Sequence, residues 1–142
     1  MKAYRLLSVC LLPFLAHASD YVDEESGVRY FAAEPGECFN FDNRHIGRCV
    51  THFHDQSQAA LEQALTRIRG GLKRDLALFD DAQSKWAAFK ESECKVRSVS
   101  AQAFQDPQRQ KQLFVQVCEA ELNAARIEQL KSLPLGCDSC LQ

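Results

Sequence analysis

From about Ser57 the apolar residues recur at helical spacing. Leu61, Leu65, Ile68, Leu72, Leu76, Phe79, Ala82, Trp86 and Phe89, with Glu93 closing the series, follow at steps of three or four. Such steps draw one apolar stripe along a helix, and the charged and glutamine residues between them supply a solvated face. Asp55 or Ser57 suits the start as an N-cap. Gly70-Gly71 interrupts the run, at about 1 kcal/mol per glycine relative to alanine in a helix interior. Because Ile68 to Leu72 is one step of four, the stripe keeps its phase across the pair. The pattern therefore predicts one long helix over 55–95, kinked at the glycines, in preference to two helices with a sharp turn.

Residues 96–105 lack a strong period and read as a connection. Asp106-Pro107 reads as a helix start: aspartate caps, and proline lacks only an N–H that the first turn leaves unpaired anyway. A second helix is expected over 106–132, with Leu113, Phe114, Val117, Cys118, Leu122, Ala125 and Leu130 on its inner face and Pro134 and Gly136 ending it. Upstream, Gly27, Pro35, Gly36, Asn40, Asn43 and Gly47 punctuate residues 19–54, which read as an irregular arm. Val28-Arg29-Tyr30-Phe31 has strand character but no convincing partner. The expected fold is mainly α, an antiparallel helical hairpin or small bundle whose open side the arm covers, with a tail over 133–142.

The first eighteen residues have a different character. Lys2 and Arg5 form a basic start. The run from Leu6 to Ala16 is apolar except for Ser8, and Ala16-His17-Ala18 places small residues where a signal peptidase reads. The apolar run is too short for a bilayer core of about 30 Å. Residues 1–18 therefore read as a signal peptide cleaved before Ser19, against the alternatives of a retained anchor or lipidation at Cys10. The residues before Cys10, Leu7-Ser8-Val9, lack the usual small residue next to a lipidated cysteine. No later stretch is long and apolar enough for a membrane span, so none is expected after signal cleavage. The expected location is the bacterial periplasm or the exterior.

Cleavage leaves Ser19 to Gln142, 124 residues, a length suited to a single domain with one modest core. It removes two basic residues and moves the net charge from −2 to about −4. An acidic surface argues against a nucleic-acid partner, since phosphate binding needs clustered Lys and Arg. Seven cysteines fall to six: Cys38, Cys49, Cys94, Cys118, Cys137 and Cys140. An even set in an exported domain reads as a disulfide framework with fifteen formal pairings. The sequential scheme is preferred: Cys38–Cys49, Cys94–Cys118 and Cys137–Cys140. Two antiparallel helices bring Cys94 within reach of Cys118, where the Cα atoms need to approach within about 7 Å. Closing that loop contributes roughly 3 kcal/mol by the chain-entropy account.

No catalytic motif emerges, and no cofactor or metal is expected. There is no Ser/His/Asp pattern, phosphate-cradling glycine loop or helical zinc-protease signature. Carboxylates such as Glu91 and Glu93 fall at solvated helix positions. His52-Phe53-His54 is the best metal candidate, because alternate residues of a strand share a face, and Cys137 with Cys140 would complete a Cys₂His₂ set. An oxidising location favours a disulfide there instead. Cys137-Asp138-Ser139-Cys140 also has oxidoreductase spacing, but no helix follows it to lower a thiol pKa. Trp86, the sole tryptophan, reads as core.

The stretch Ala82-Gln83-Ser84-Lys85-Trp86-Ala87-Ala88-Phe89-Lys90-Glu91-Ser92-Glu93-Cys94 resembles the LprI-like lysozyme-inhibitor family of exported bacterial proteins. The resemblance rests on Gln83, Trp86, Phe89, Lys90, Glu93 and Cys94, continues through Cys118, Arg126 and Leu130, and includes the upstream pair Cys38 and Cys49. Lys90 stands where the family usually has arginine, a glycine-glycine-serine between the last two family cysteines is missing, and the tail with Cys137 and Cys140 is extra. The signature also has a structural reading: Trp86 and Phe89 fill the core, while Lys90 and Arg126 hold acidic partners such as Glu93 or Glu121. The resemblance implies a non-catalytic protein that occludes a basic, wall-degrading enzyme. Charge points to Asp23, Glu24, Glu25, Glu34 and Glu37 in the arm as the contact region. The alternative is a periplasmic immunity or assembly partner for another, non-lysozyme protein.

Overall fold

A computed structural model describes residues 19–22, 27, 29–72 and 74–133. Two short strands, β1 (Ser19–Val22) and β2 (Arg29–Ala32), pair antiparallel, with Ser19 opposite Ala32 and Val22 opposite Arg29. A 3-10 helix follows over Pro35–Asn40. Three α-helices form the body: α1 (Ile46–Gly71), α2 (Leu76–Arg97) and α3 (Pro107–Lys131), with a second 3-10 helix over Ser98–Ala103 between the last two. The protein is mainly α, a small bundle.

Several expectations are corrected. The strand around Tyr30 does have a partner, β1. The arm is less irregular than expected, since α1 begins at Ile46. Ile46, Cys49, Val50 and Phe53 already keep the three-and-four spacing, and Cys49 and Val50 are fully buried. Asp55 and Ser57 therefore lie inside α1; Ser57 Oγ donates to the His54 carbonyl at 2.8 Å. The long helix over 55–95 is two helices. Gly70-Gly71 forms the last residues of α1, and Leu72 N–H still donates to the Ile68 carbonyl. The chain reverses before Asp75, which has φ 60°, a left-handed conformation that aspartate tolerates better than most side chains. The start of α3 is as read: Pro107 is its first residue, and the Asp106 carboxylate accepts from Arg109 N–H at 3.1 Å.

Direction follows from the cross-contacts. His54 on α1 meets Glu119 on α3 at 3.0 Å, Ser57 meets Asn123, and further along Ile68 shares a cluster with Leu130. α1 and α3 thus run parallel. α2 returns between them in sequence, antiparallel to both: Arg69 Nε pairs with Asp80 at 2.8 Å, and Cys94 is bonded to Cys118 with Cα atoms 5.5 Å apart.

The interior has two apolar clusters. The first gathers Ala32, Cys38, Cys49, Val50, Phe53, Leu113 and Val117 at the start of α1 and α3. The Cys38–Cys49 bond, Cα atoms 5.7 Å apart, fastens the first 3-10 helix onto it. Phe39 and Phe104 both meet the Phe114 ring edge-on, at 5.3 and 5.7 Å. The second cluster joins Leu61, Ile68 and Leu130, flanked by Leu65, Leu72, Phe79, Trp86 and Ile127. Each fully buried aliphatic side chain here contributes about 2 kcal/mol by leaving water.

Candidate functional site

Between the two apolar clusters the helices meet through polar side chains, among them Gln83, Lys90 and Arg126 of the sequence signature. α2 turns Gln83, Trp86, Lys90 and Cys94 toward α3, spaced at steps of three and four. Gln83 is buried, and its side-chain oxygen accepts from Arg126 twice, from Nε at 3.1 Å and from Nη2 at 2.8 Å. Arg126 Nη1 donates to Gln129 at 3.1 Å. Partial burial lowers the Arg126 pKa, yet a guanidinium stays protonated in proteins. Its charge is met by amide oxygens and by the Trp86 ring, whose centroid lies 5.7 Å away. Lys90 Nζ stands 5.3 Å from the same ring, within cation–π range.

Lys90 also donates to Asn123 Oδ1 at 3.0 Å. Asn123 is fully buried, and its amide nitrogen donates to Ser57 Oγ at 3.2 Å and Gln58 Oε1 at 3.4 Å. One asparagine thus links all three helices. It is absent from the sequence reading of the site, although one sign was available: buried α3 positions run Leu113, Val117, Ala120, Asn123 and Leu130, so an amide occupies a step that an apolar residue would normally fill. Of the inner-face residues expected on α3, Leu122 is half-buried and Ala125 exposed.

Other expectations change as well. Trp86 is half-buried, packed beside the second cluster, but Phe89 is 54% exposed and fills no core. Lys90 and Arg126 hold amides, not carboxylates. Glu93 and Glu121 both pair with Arg97 instead, at 2.9 and 3.3 Å. A helical wheel gives the faces of α2 but not which one meets α3, and both faces carry apolar residues.

His52 and His54 lie on α1, where residues two apart project to nearly opposite sides. His54 is engaged with Glu119 and, at 3.2 Å, with Asp55. Among the described residues no group of three or more His, Cys, Asp or Glu could hold a metal ion. Cys137, Cys140, Asp23, Glu24, Glu25, Cys10 and the leader lie outside the described residues. Glu34 is exposed, and Glu37 accepts from Ala33 N–H at 2.6 Å. Arg29 and Arg44 are exposed in the same region, so the described part of the arm is less acidic than the whole.

An apolar cleft of about 250 Å³ opens where Leu72, Leu78, Phe79 and Ala82 face Leu130 and Leu133, with Arg126 at its rim. It is smaller than the usual range for small-molecule sites. No described helix is long and apolar enough to cross a membrane.

The family model described as "Lysozyme inhibitor LprI" matches residues 42–130. The chain belongs to the LprI family. The match runs from just before α1 to the end of α3 and takes in the whole polar layer. Comparison with curated proteins gave no match, and comparison with solved structures gave none.

Proposed function

We propose that this LprI-family chain is an exported, non-catalytic binding protein that inhibits a lysozyme-like, wall-degrading enzyme by occluding its cleft. The observation that carries this reading is the family match over residues 42–130. The polar layer supports a division of labour. Gln83, Lys90, Asn123 and Arg126 spend their hydrogen-bonding groups on one another and on neighbouring side chains, so recognition falls to exposed elements. The arm is the candidate surface. Asp23, Glu24, Glu25, Glu34 and Glu37 give it acidic groups that would attract a basic enzyme and speed encounter. Export fits the basic and apolar leader, the Ala16-His17-Ala18 cleavage pattern and the disulfides.

A turbidity assay tests the proposal. The purified mature protein is expected to slow lysis of a cell-wall suspension in proportion to its concentration; undiminished lysis at excess protein would overturn it. Neutralising Asp23, Glu24 and Glu34 to the amides is expected to weaken inhibition and flatten its salt dependence, with thermal unfolding unchanged. Unaltered inhibition in that variant would move the contact away from the arm.

A further inference from the structure

α2 carries two stripes; among the described residues one packs into the bundle, and the other touches it only at its N-terminal end, where Leu78 and Ala82 line the cleft beside Leu130. Phe79, Gln83, Trp86, Lys90 and Cys94 face the bundle. Leu78, Ala82, Lys85, Phe89, Ser92 and Val96 recur at steps of four and three on another side, and all are exposed. The largest apolar members are well out in solvent: Leu78 is 66%, Phe89 54% and Val96 67% exposed, and Val99 just beyond the helix is 61% exposed. The helix thus buries an amide and half-buries an ammonium while leaving a leucine, a phenylalanine and a valine outside. A repeat of four and three over about 27 Å of helix is the seam spacing of paired helices.

We propose that this outward face of α2 is the interface of an antiparallel dimer of the chain. Charge selects both the partner and the direction. Asp81, Ala88 and Lys95 flank the stripe on one side at intervals of seven residues. Antiparallel pairing about Ala88 sets Asp81 against Lys95 of the second copy, twice by symmetry; parallel pairing would set like charges together. The same register lays Lys85 beside Phe89 of the second copy, where its stem covers the ring and its ammonium meets the π face. Asp81 and Lys95 pair within the chain to Lys85 and Glu91, but all four are more than half exposed. Such surface pairs are weakly held and can exchange partners. A single helix face is smaller than the usual 800 Å² or so per partner of a stable interface, so the dimer dissociates on dilution.

Sedimentation velocity of the purified protein across a concentration series tests this. A mass rising reversibly from one to two chains is expected. Phe89→Glu should raise the dissociation constant about tenfold or more, with helicity and thermal unfolding unchanged because Phe89 touches no core. Asp81→Lys and Lys95→Glu should each weaken association, and the double exchange should restore it, because opposite charges again face each other across the antiparallel seam. A single-chain mass at every concentration overturns the proposal. A dimer indifferent to Phe89→Glu, or one the double exchange fails to restore, overturns it equally. A monomer in which Phe89→Glu abolishes lysozyme inhibition would assign the face to the enzyme and also overturn it.

Discussion

Around Cys38–Cys49, the side chains of Val50, Phe53, Leu113 and Val117 meet as apolar surface. Further along the same two helices the contacts are polar: His54 with Glu119, and Asn123 with Ser57, Gln58 and, from α2, Lys90. Apolar layers are non-directional and tolerate exchange of similar volumes. A polar layer in which α1, α2 and α3 each supply a partner is directional. Sliding any helix by one turn would leave a buried amide or a cation unmatched, and that penalty is large in a water-poor interior. The apolar ends thus supply most of the stability, and the middle fixes which residues stand opposite one another.

Chemical denaturation of single variants tests this division between apolar ends and polar middle. Ile68→Ala, in the second apolar cluster, should cost most, about 4 kcal/mol. The Cys94→Ser/Cys118→Ser double variant follows at about 3 kcal/mol. Asn123→Ala, by stranding Lys90, should cost about 2 kcal/mol. Asn123→Leu combined with Lys90→Met should recover much of that loss, since both partners are then apolar. The recovered protein is expected to show broader amide NMR lines near Ser57 and Trp86 as helix register loosens. Sharp lines there would remove the case for a register role. Arg69→Ala, at an exposed pair with Asp80, should change stability by no more than about 0.5 kcal/mol.

The smallest expected effect is electrostatic. Desolvation pushes the Asp42 carboxyl up, but the side chain of His45 at 2.7 Å and the Arg44 N–H outweigh it and hold the group below the usual aspartate range. Because the folded value is depressed, the contribution is present above the unfolded value and lost as pH falls through the folded one. An NMR titration of Asp42 should show a midpoint below that of a model peptide; a midpoint at or above it would remove this contribution.

The helical character of the chain and the Asp106-Pro107 start were legible because spacing and capping are local. The break between α1 and α2 was not. Gly70-Gly71 marked the place, at the last residues of α1, but a stripe that keeps phase looks the same whether the helix continues or turns back onto the same core. The start of α1 was hidden by Asn43 and Gly47, which read as turn residues although Ile46, Cys49, Val50 and Phe53 already keep helical phase. The candidate site was half legible. Gln83, Trp86, Lys90 and Arg126 emerge from the resemblance, but their partners do not. Whether Lys90 meets Glu93 or Asn123 depends on how α2 is rotated against α3, a tertiary choice that no single helix encodes.

The parallel course of α1 and α3 has a kinetic consequence. His54 and Glu119 are 65 residues apart, and Ser57 and Asn123 are 66 apart. A chain emerging N-terminus first, from a ribosome or a translocation pore, releases α1 long before the helix that seals its apolar flank exists. High contact order of this kind slows folding and exposes sticky intermediates. Maturation is thus an act of the finished polypeptide: Leu72, Phe79 and Trp86 reach Ile68 first, and the seal closes only when Leu130 has arrived.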